Sequence, residues 1–93
     1  MSYKKKSDGN QAAIIKRLRE NPEISVRSIH RHGDGIPDLL VGYRGRNYIF
    51  EVKNPEYDGR LTDAEQKFAD GWKGQWASIF YVQEIIEEIN DGD

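Results

Sequence analysis

Apolar residues fall at helical spacing in some stretches of the chain and in short continuous runs in others. From about Ser7 to Glu20 the spacing is helical: Gln11, Ile15 and Leu18 fall at i, i+4 and i+7 on one inward face, with Ala12 and Ile14 alongside. Ser7 is the expected N-cap and Asn21-Pro22 the expected stop, which leaves residues 1–6 as a short, flexible basic arm. A strand is expected from Ile24 to about His30 or His32, ended by Gly33-Asp34-Gly35. Residues 38–43 and 47–53 read as two strands joined at Arg44-Gly45 into a hairpin. Both are apolar on both faces, as at the centre of a sheet covered by helices. After a loop from Asn54 to Leu61, Thr62 and Glu65 form a capping box for a helix that presents Ala64, Phe68 and Trp72 and ends at Gly74. Ala77–Val82 reads as a further buried strand. A last helix from Gln83 to about Asn90 buries Ile85, Ile86 and Ile89. The pattern predicts an α/β domain of order α-β-β-β-α-β-α, a small mixed sheet flanked by helices, with residues 1–93 forming one unit.

Composition adds little to this except in its asymmetry. The net charge is −2, but residues 1–53 carry +5 and residues 54–93 carry −7. The first half is therefore the half expected to meet a polyanion, with the acidic tail turned away. There is no cysteine, so neither a disulfide nor a thiolate metal site is available. No apolar run approaches the ~20 residues of a bilayer span, and the N-terminus has no signal-peptide pattern, so a cytoplasmic location is expected.

The chemistry-bearing positions lie at one end of the hairpin. If the hairpin turns symmetrically about Arg44-Gly45, paired residues have numbers summing to 89, and Asp38 falls opposite Glu51. Directly paired residues point to the same face with Cβ atoms ~5 Å apart, and Lys53, two positions beyond Glu51, shares that face. Two adjacent carboxylates need neutralising: Lys53 can offset one charge, a divalent cation both. An all-oxygen ligand set suits Mg²⁺ or Mn²⁺, which can polarise a phosphoryl oxygen and acidify a bound water, while Lys53 orients that water or stabilises developing charge. The plain alternative is an Asp after a turn-forming Pro37 and a Glu51–Lys53 ion pair on an exposed face.

Gly35-Ile36-Pro37-Asp38, then Phe50-Glu51-Val52-Lys53-Asn54-Pro55, then Leu61-Thr62-Asp63-Ala64-Glu65-Gln66, resembles the signature of the PD-(D/E)XK nuclease superfamily. More finely, the chain is similar to its VRR-NUC (virus-type replication-repair nuclease) domains over about residues 10–82. The resemblance implies a restriction-endonuclease-like core. It also implies Asp38, Glu51 and the Val52 carbonyl as metal ligands, Lys53 as catalytic lysine and Gln66 projecting toward the site from the second helix. Many superfamily members add an acidic residue from the first helix; here Gln11 stands there, which leaves the number of metals open. The activity implied is a structure-selective DNA endonuclease acting on branched DNA, as a two-fold dimer that resolves four-way (Holliday) junctions. The rivals are a monomeric flap or nicking nuclease, a catalytically silent DNA-binding module of the same fold, and a structural protein with ion-paired carboxylates.

Other residues carry weaker signals. Arg27, Arg31, Arg44 and Arg46, with Lys5 and Lys6 of the arm, are suited to phosphate contact. His30 and His32 share a strand face near Asp34 but lack further ligands for zinc, so substrate contact, acid–base assistance or plain surface histidines are the readings left. Gly33-Asp34-Gly35 is no phosphate loop, because no lysine or helix follows at the required spacing. Trp72, Trp76 and Phe80 read as core or interface. The segment from Trp72 to Ile89 is the candidate dimer surface, being richer in aromatic and aliphatic residues than so small a core needs.

Overall fold

The sheet is organised by a two-residue turn. A computed structural model describes residues 2–30, 35–56 and 58–91 of the chain, residues 2–9 as backbone only. Arg44 and Gly45 have φ of 53° and 81°, the pair of positive values that a tight hairpin turn with right-handed strand twist requires. They join β2 (Leu39–Tyr43) to β3 (Arg46–Val52) in antiparallel register, with Tyr43 opposite Arg46 and Leu39 opposite Phe50. β1 (Ile24–Ser28) pairs antiparallel with β2, and β4 (Trp76–Ile79) parallel with β3, giving a mixed sheet of order β1-β2-β3-β4. With α1 (Ser2–Leu18), α2 (Asp63–Gly71) and α3 (Val82–Asp91), the chain is a small mixed α/β domain with a four-stranded sheet and three helices, in the expected order.

One face of the sheet makes the core. Val26, Leu39, Val41, Tyr43, Tyr48, Phe50 and Ile79 alternate onto it and pack with Ile14 and Leu18 of α1 and Ile85 and Ile89 of α3. The inward positions of α1 are Gln11, Ile14 and Leu18, whereas Ile15 is half-buried and Ala12 exposed. The opposite face was expected to be covered as fully, and it is not: Leu40 is 37% exposed and α2 has no fully buried residue. α2 is too short and polar to cover a sheet face; Ala64 is exposed and Phe68 stacks on Trp72 at 5.0 Å rather than entering the core.

The element ends differ from expectation for local reasons. Ser7 does not cap α1; the helix runs through the basic arm to Ser2, since no proline interrupts it and lysine is a good helix former. β1 ends at Ser28, although the Ile29 N–H still donates to the Asp38 carbonyl at 2.8 Å. α2 ends at Gly71, with Trp72 extended as its C-cap (φ −75°, ψ 131°), so Gly74 plays no part in stopping it. β4 stops at Ile79 because Glu84 Oε1 accepts from the N–H groups of Phe80 (2.6 Å) and Tyr81 (2.8 Å) and turns the chain into α3. No helix among the described residues is long and apolar enough to cross a membrane.

Phe50 sits 1% exposed at the centre of the core. Its replacement by alanine should cost about 3–5 kcal/mol, a large part of the stability of a domain this size. Chemical denaturation should show the midpoint falling without a change in slope; a loss below about 1 kcal/mol would mean that the core closes around the gap.

Candidate active site

Asp38 is delivered by a short turn whose geometry leaves it little freedom. Gly35 has φ +78°, and a Cβ built there would stand 2.2 Å from the Ala64 carbonyl oxygen, so only glycine allows α2 to approach this turn. Pro37 is fully buried. The Asp38 N–H donates to the Phe50 carbonyl at 3.0 Å, continuing the hairpin ladder one step past Leu39–Phe50, and this sets Asp38 against Glu51. The Val52 N–H donates to Asp38 Oδ2 at 2.8 Å. The carboxylate is thus fixed by the strand it faces.

Glu51 points to the face opposite Phe50 and Val52, yet is only 5% exposed. It donates a hydrogen bond to Asp38, and burial together with the charges of Asp38 and Glu65 pushes its carboxyl up to about 9. Burial raises Asp38 as well, against the opposing pull of the Val52 N–H. The pair therefore shares a proton: two desolvated carboxylates side by side do not both ionise without a counter-charge. Lys53 Nζ lies 3.8 Å from Glu51 Oε2 and 2.7 Å from Glu65 Oε1, with its side chain 15% exposed.

Glu65 is the site residue that sequence reasoning missed. The capping box accounts for it completely as a helix-start residue, so nothing in the chain marks a second duty. Its Oε1 accepts from the Thr62 N–H at 2.9 Å as well as from Lys53. Burial opposes its charge, but these two hydrogen bonds outweigh that effect and hold its carboxyl below the usual range. Gln66, expected to project toward the site, lies exposed on the neighbouring flank of α2 and donates to Asp70 Oδ1 at 2.8 Å. The 100° between successive helical residues separates the two: Glu65 turns inward and Gln66 outward.

The first helix reaches this end of the sheet, where Asn10 Nδ2 contacts the Lys53 carbonyl at 3.5 Å. Gln11 is buried, and its Oε1 accepts from Ser28 Oγ at 3.1 Å; that oxygen lies 3.0 Å from His30 Nδ1. His30 in turn is near enough to lower the Asp38 carboxyl slightly. Gln11 is thus linked by hydrogen bonds to Ser28 and, through it, to His30. Arg27 lies across from Leu40, two positions along from Asp38, and so shares the sheet face of the carboxylates. Arg44 and Arg46 are at the far end of the hairpin, Arg46 five residues or ~17 Å of strand from Glu51 and Arg44 in the turn beyond it. There Arg44 lies over the Tyr43 ring and 4.0 Å from Glu23. Arg31, His32 and Asp34, and the side chains of Lys5 and Lys6, lie outside the described residues.

The donor set suits a divalent cation by charge. Three mutually interacting carboxylates face one ammonium, and a proton on Glu51 offsets only part of the excess. Among the described residues no three His, Asp or Glu side chains form a group able to hold a metal ion alone. A cation here would draw on two carboxylates, completed by backbone carbonyl, water and substrate oxygens, as Mg²⁺ commonly does.

The buried Glu51 predicts a pH dependence. Between the usual 4.5 and about 9 the folded chain holds a proton that the unfolded chain has released, so stability falls as pH rises through that window. In chelator, Glu51→Gln should remove most of this slope, and at pH ~9 its Tm should exceed that of the wild-type chain by about 4 °C or more. Calorimetric scans across the pH range test this; a wild-type profile flat to pH ~9 would contradict the raised value.

Compared with known protein families, with curated proteins and with solved structures, the chain finds no match.

Proposed function

We propose that this chain is an Mg²⁺- or Mn²⁺-dependent endonuclease that hydrolyses DNA phosphodiester bonds on a restriction-endonuclease-like fold. The observation that carries the reading is the meeting of Asp38, Glu51 and Lys53 at one hairpin end, where the buried Glu51 and the half-buried Asp38 lie side by side and the ammonium is hydrogen-bonded to Glu65 instead. The element order and the Gly-x-Pro-Asp and Glu-x-Lys spacing support the same assignment, by resemblance to the VRR-NUC nucleases.

In this reading Asp38 and Glu51, with the Val52 carbonyl, hold the cation. When bound, the cation supplies Lewis-acid polarisation of the phosphoryl oxygen and a more acidic water. The chain supplies position. The Val52 N–H orients Asp38, and burial of Glu51 keeps bulk water from screening the charges that act on the phosphate. Lys53 presents an ammonium beside Glu51 where negative charge grows on the attacked phosphate, and its partly exposed side chain lets it reach that group. Arg27, on the same sheet face as the carboxylates, is a candidate to meet the DNA backbone. The incompletely covered sheet face, with Leu40 37% exposed, is the side from which a DNA backbone would approach in this reading.

Asp38→Ala and Glu51→Ala should each reduce Mg²⁺-dependent nicking of supercoiled plasmid to background while the fold survives. Lys53→Ala should lower turnover by ~10²–10³-fold, as expected on removing a group that stabilises transition-state charge. Wild-type nicking by either carboxylate variant, or full activity in excess chelator, would sink the assignment.

The preferred substrate in this proposal is a four-way junction, cut by a two-fold dimer whose symmetry matches the two cuts required. Exposed aromatic surface at Trp72 (44%) and Tyr81 (59%) supports the C-terminal segment as the dimer contact. Light scattering on the eluting protein should give twice 10.8 kDa. A single 10.8 kDa species that cuts flaps in preference to junctions would replace the dimer with the monomeric flap nuclease.

A further inference from the structure

We propose that Glu65 is a positioning residue for Lys53, so that the first turn of α2 is a working part of the site as well as a helix start. The inference rests on the nuclease reading for its kinetic consequence but on geometry alone for the contact itself.

Lysine is a poor candidate for a fixed group by its own means. Four methylenes and three freely rotating donors let the ammonium wander unless something holds it. Two carboxylates compete here. Glu51 Oε2 is 3.8 Å from Nζ, ion-pair distance without a hydrogen bond, whereas Glu65 Oε1 is at 2.7 Å, the length of a charge-assisted hydrogen bond. The shorter contact decides where the ammonium sits. Lys53 therefore leans toward α2, and the Asp38–Glu51 pair keeps its uncompensated charge for a cation.

Glu65 can hold the lysine because it is itself held. Its Oε1 also accepts from the Thr62 N–H at 2.9 Å, while its own N–H donates to Thr62 Oγ1 at 3.2 Å. This capping box fixes the Glu65 rotamer against the helix start. The helix start is in turn seated on the Asp38 turn, where Gly35 lies against the carbonyl of Ala64, the residue before Glu65. One contact thus sets α2 against the turn that delivers Asp38, and one oxygen carries that placement to Lys53. Gln66, one position on, donates to Asp70 of its own helix.

Glu65→Gln separates this role from capping. Glutamine at this position completes a capping box equally well, but it presents no charge to the ammonium. The thermal midpoint of Glu65→Gln should stay within about 3 °C of the wild type, while kcat on nicked-plasmid assay falls ~10–100-fold with KM for DNA little changed. A readout independent of cleavage is the ammonium signal of Lys53 in protein labelled with ¹⁵N-lysine, assigned by its absence in Lys53→Arg. The wild type should show it protected from exchange, and both Glu65→Gln and Glu65→Ala should lose that protection, only the alanine variant losing stability as well. Wild-type kcat together with an unchanged ammonium signal in Glu65→Gln would overturn the proposal and leave Glu65 a cap alone. A chain that cuts no DNA yet loses the protected signal in Glu65→Gln would overturn the nuclease reading while upholding the contact.

Discussion

Asp38 and Glu51 face each other because the β2–β3 hairpin turns on two residues and no more. With Arg44 and Gly45 both at positive φ, the register is set so that Leu39 meets Phe50 and the next step meets the two carboxylates. A slip of one residue would carry every side chain of a strand to the other face. Phe50 would leave the core and Glu51 would enter it. The hydrophobic core and the site are thus alternate readings of one ladder: Leu39, Val41, Tyr48 and Phe50 on one side hold in place what Asp38 and Glu51 do on the other. Core packing is what makes the slip costly, and so it is the core that secures the carboxylate pair.

The electrostatic consequence is a site that is strained when unaccompanied. A carboxyl pushed up to about 9 in a chain with abundant surface cations is not an accident of net charge; it follows from burying Glu51 beside two other acids. Structural ion pairs ordinarily match charges one to one. Here the ammonium is hydrogen-bonded to Glu65 and only at ion-pair distance from Glu51, so the surplus stays on the pair.

The sheet's second face gives that site access. α1 and α3 both pack on the core face, and α2 crosses from β3 to the parallel β4 without burying any residue completely. A helix that contributes little to the core is free to serve the site, and it does so through the first residues of its first turn, docked against Gly35. The half-open strip beside the carboxylates carries Leu40 and Arg27 on adjacent strands.

Element order, the hairpin and its register, and the convergence of Asp38, Glu51 and Lys53 were all legible in the chain. They depend on local rules: period two in strands, period 3.6 in helices, and the turn that a two-residue loop must make. The inward isoleucines of α3 and the capping box of α2 were legible for the same reason. What the chain could not show is how elements distant in sequence meet. Glu65 carries a complete local explanation as a cap, so its bond to Lys53, twelve residues away, leaves no trace in spacing. Resemblance implies that Gln66 projects toward the site, and only the rotation of α2 about its axis decides that it donates to Asp70 instead. The route from Gln11 through Ser28 to His30 is equally a matter of how α1 lies across β1. Local periodicity determines which face a residue is on; what that face meets depends on the packing of whole elements, whose energies are summed over many contacts and belong to no single stretch of sequence.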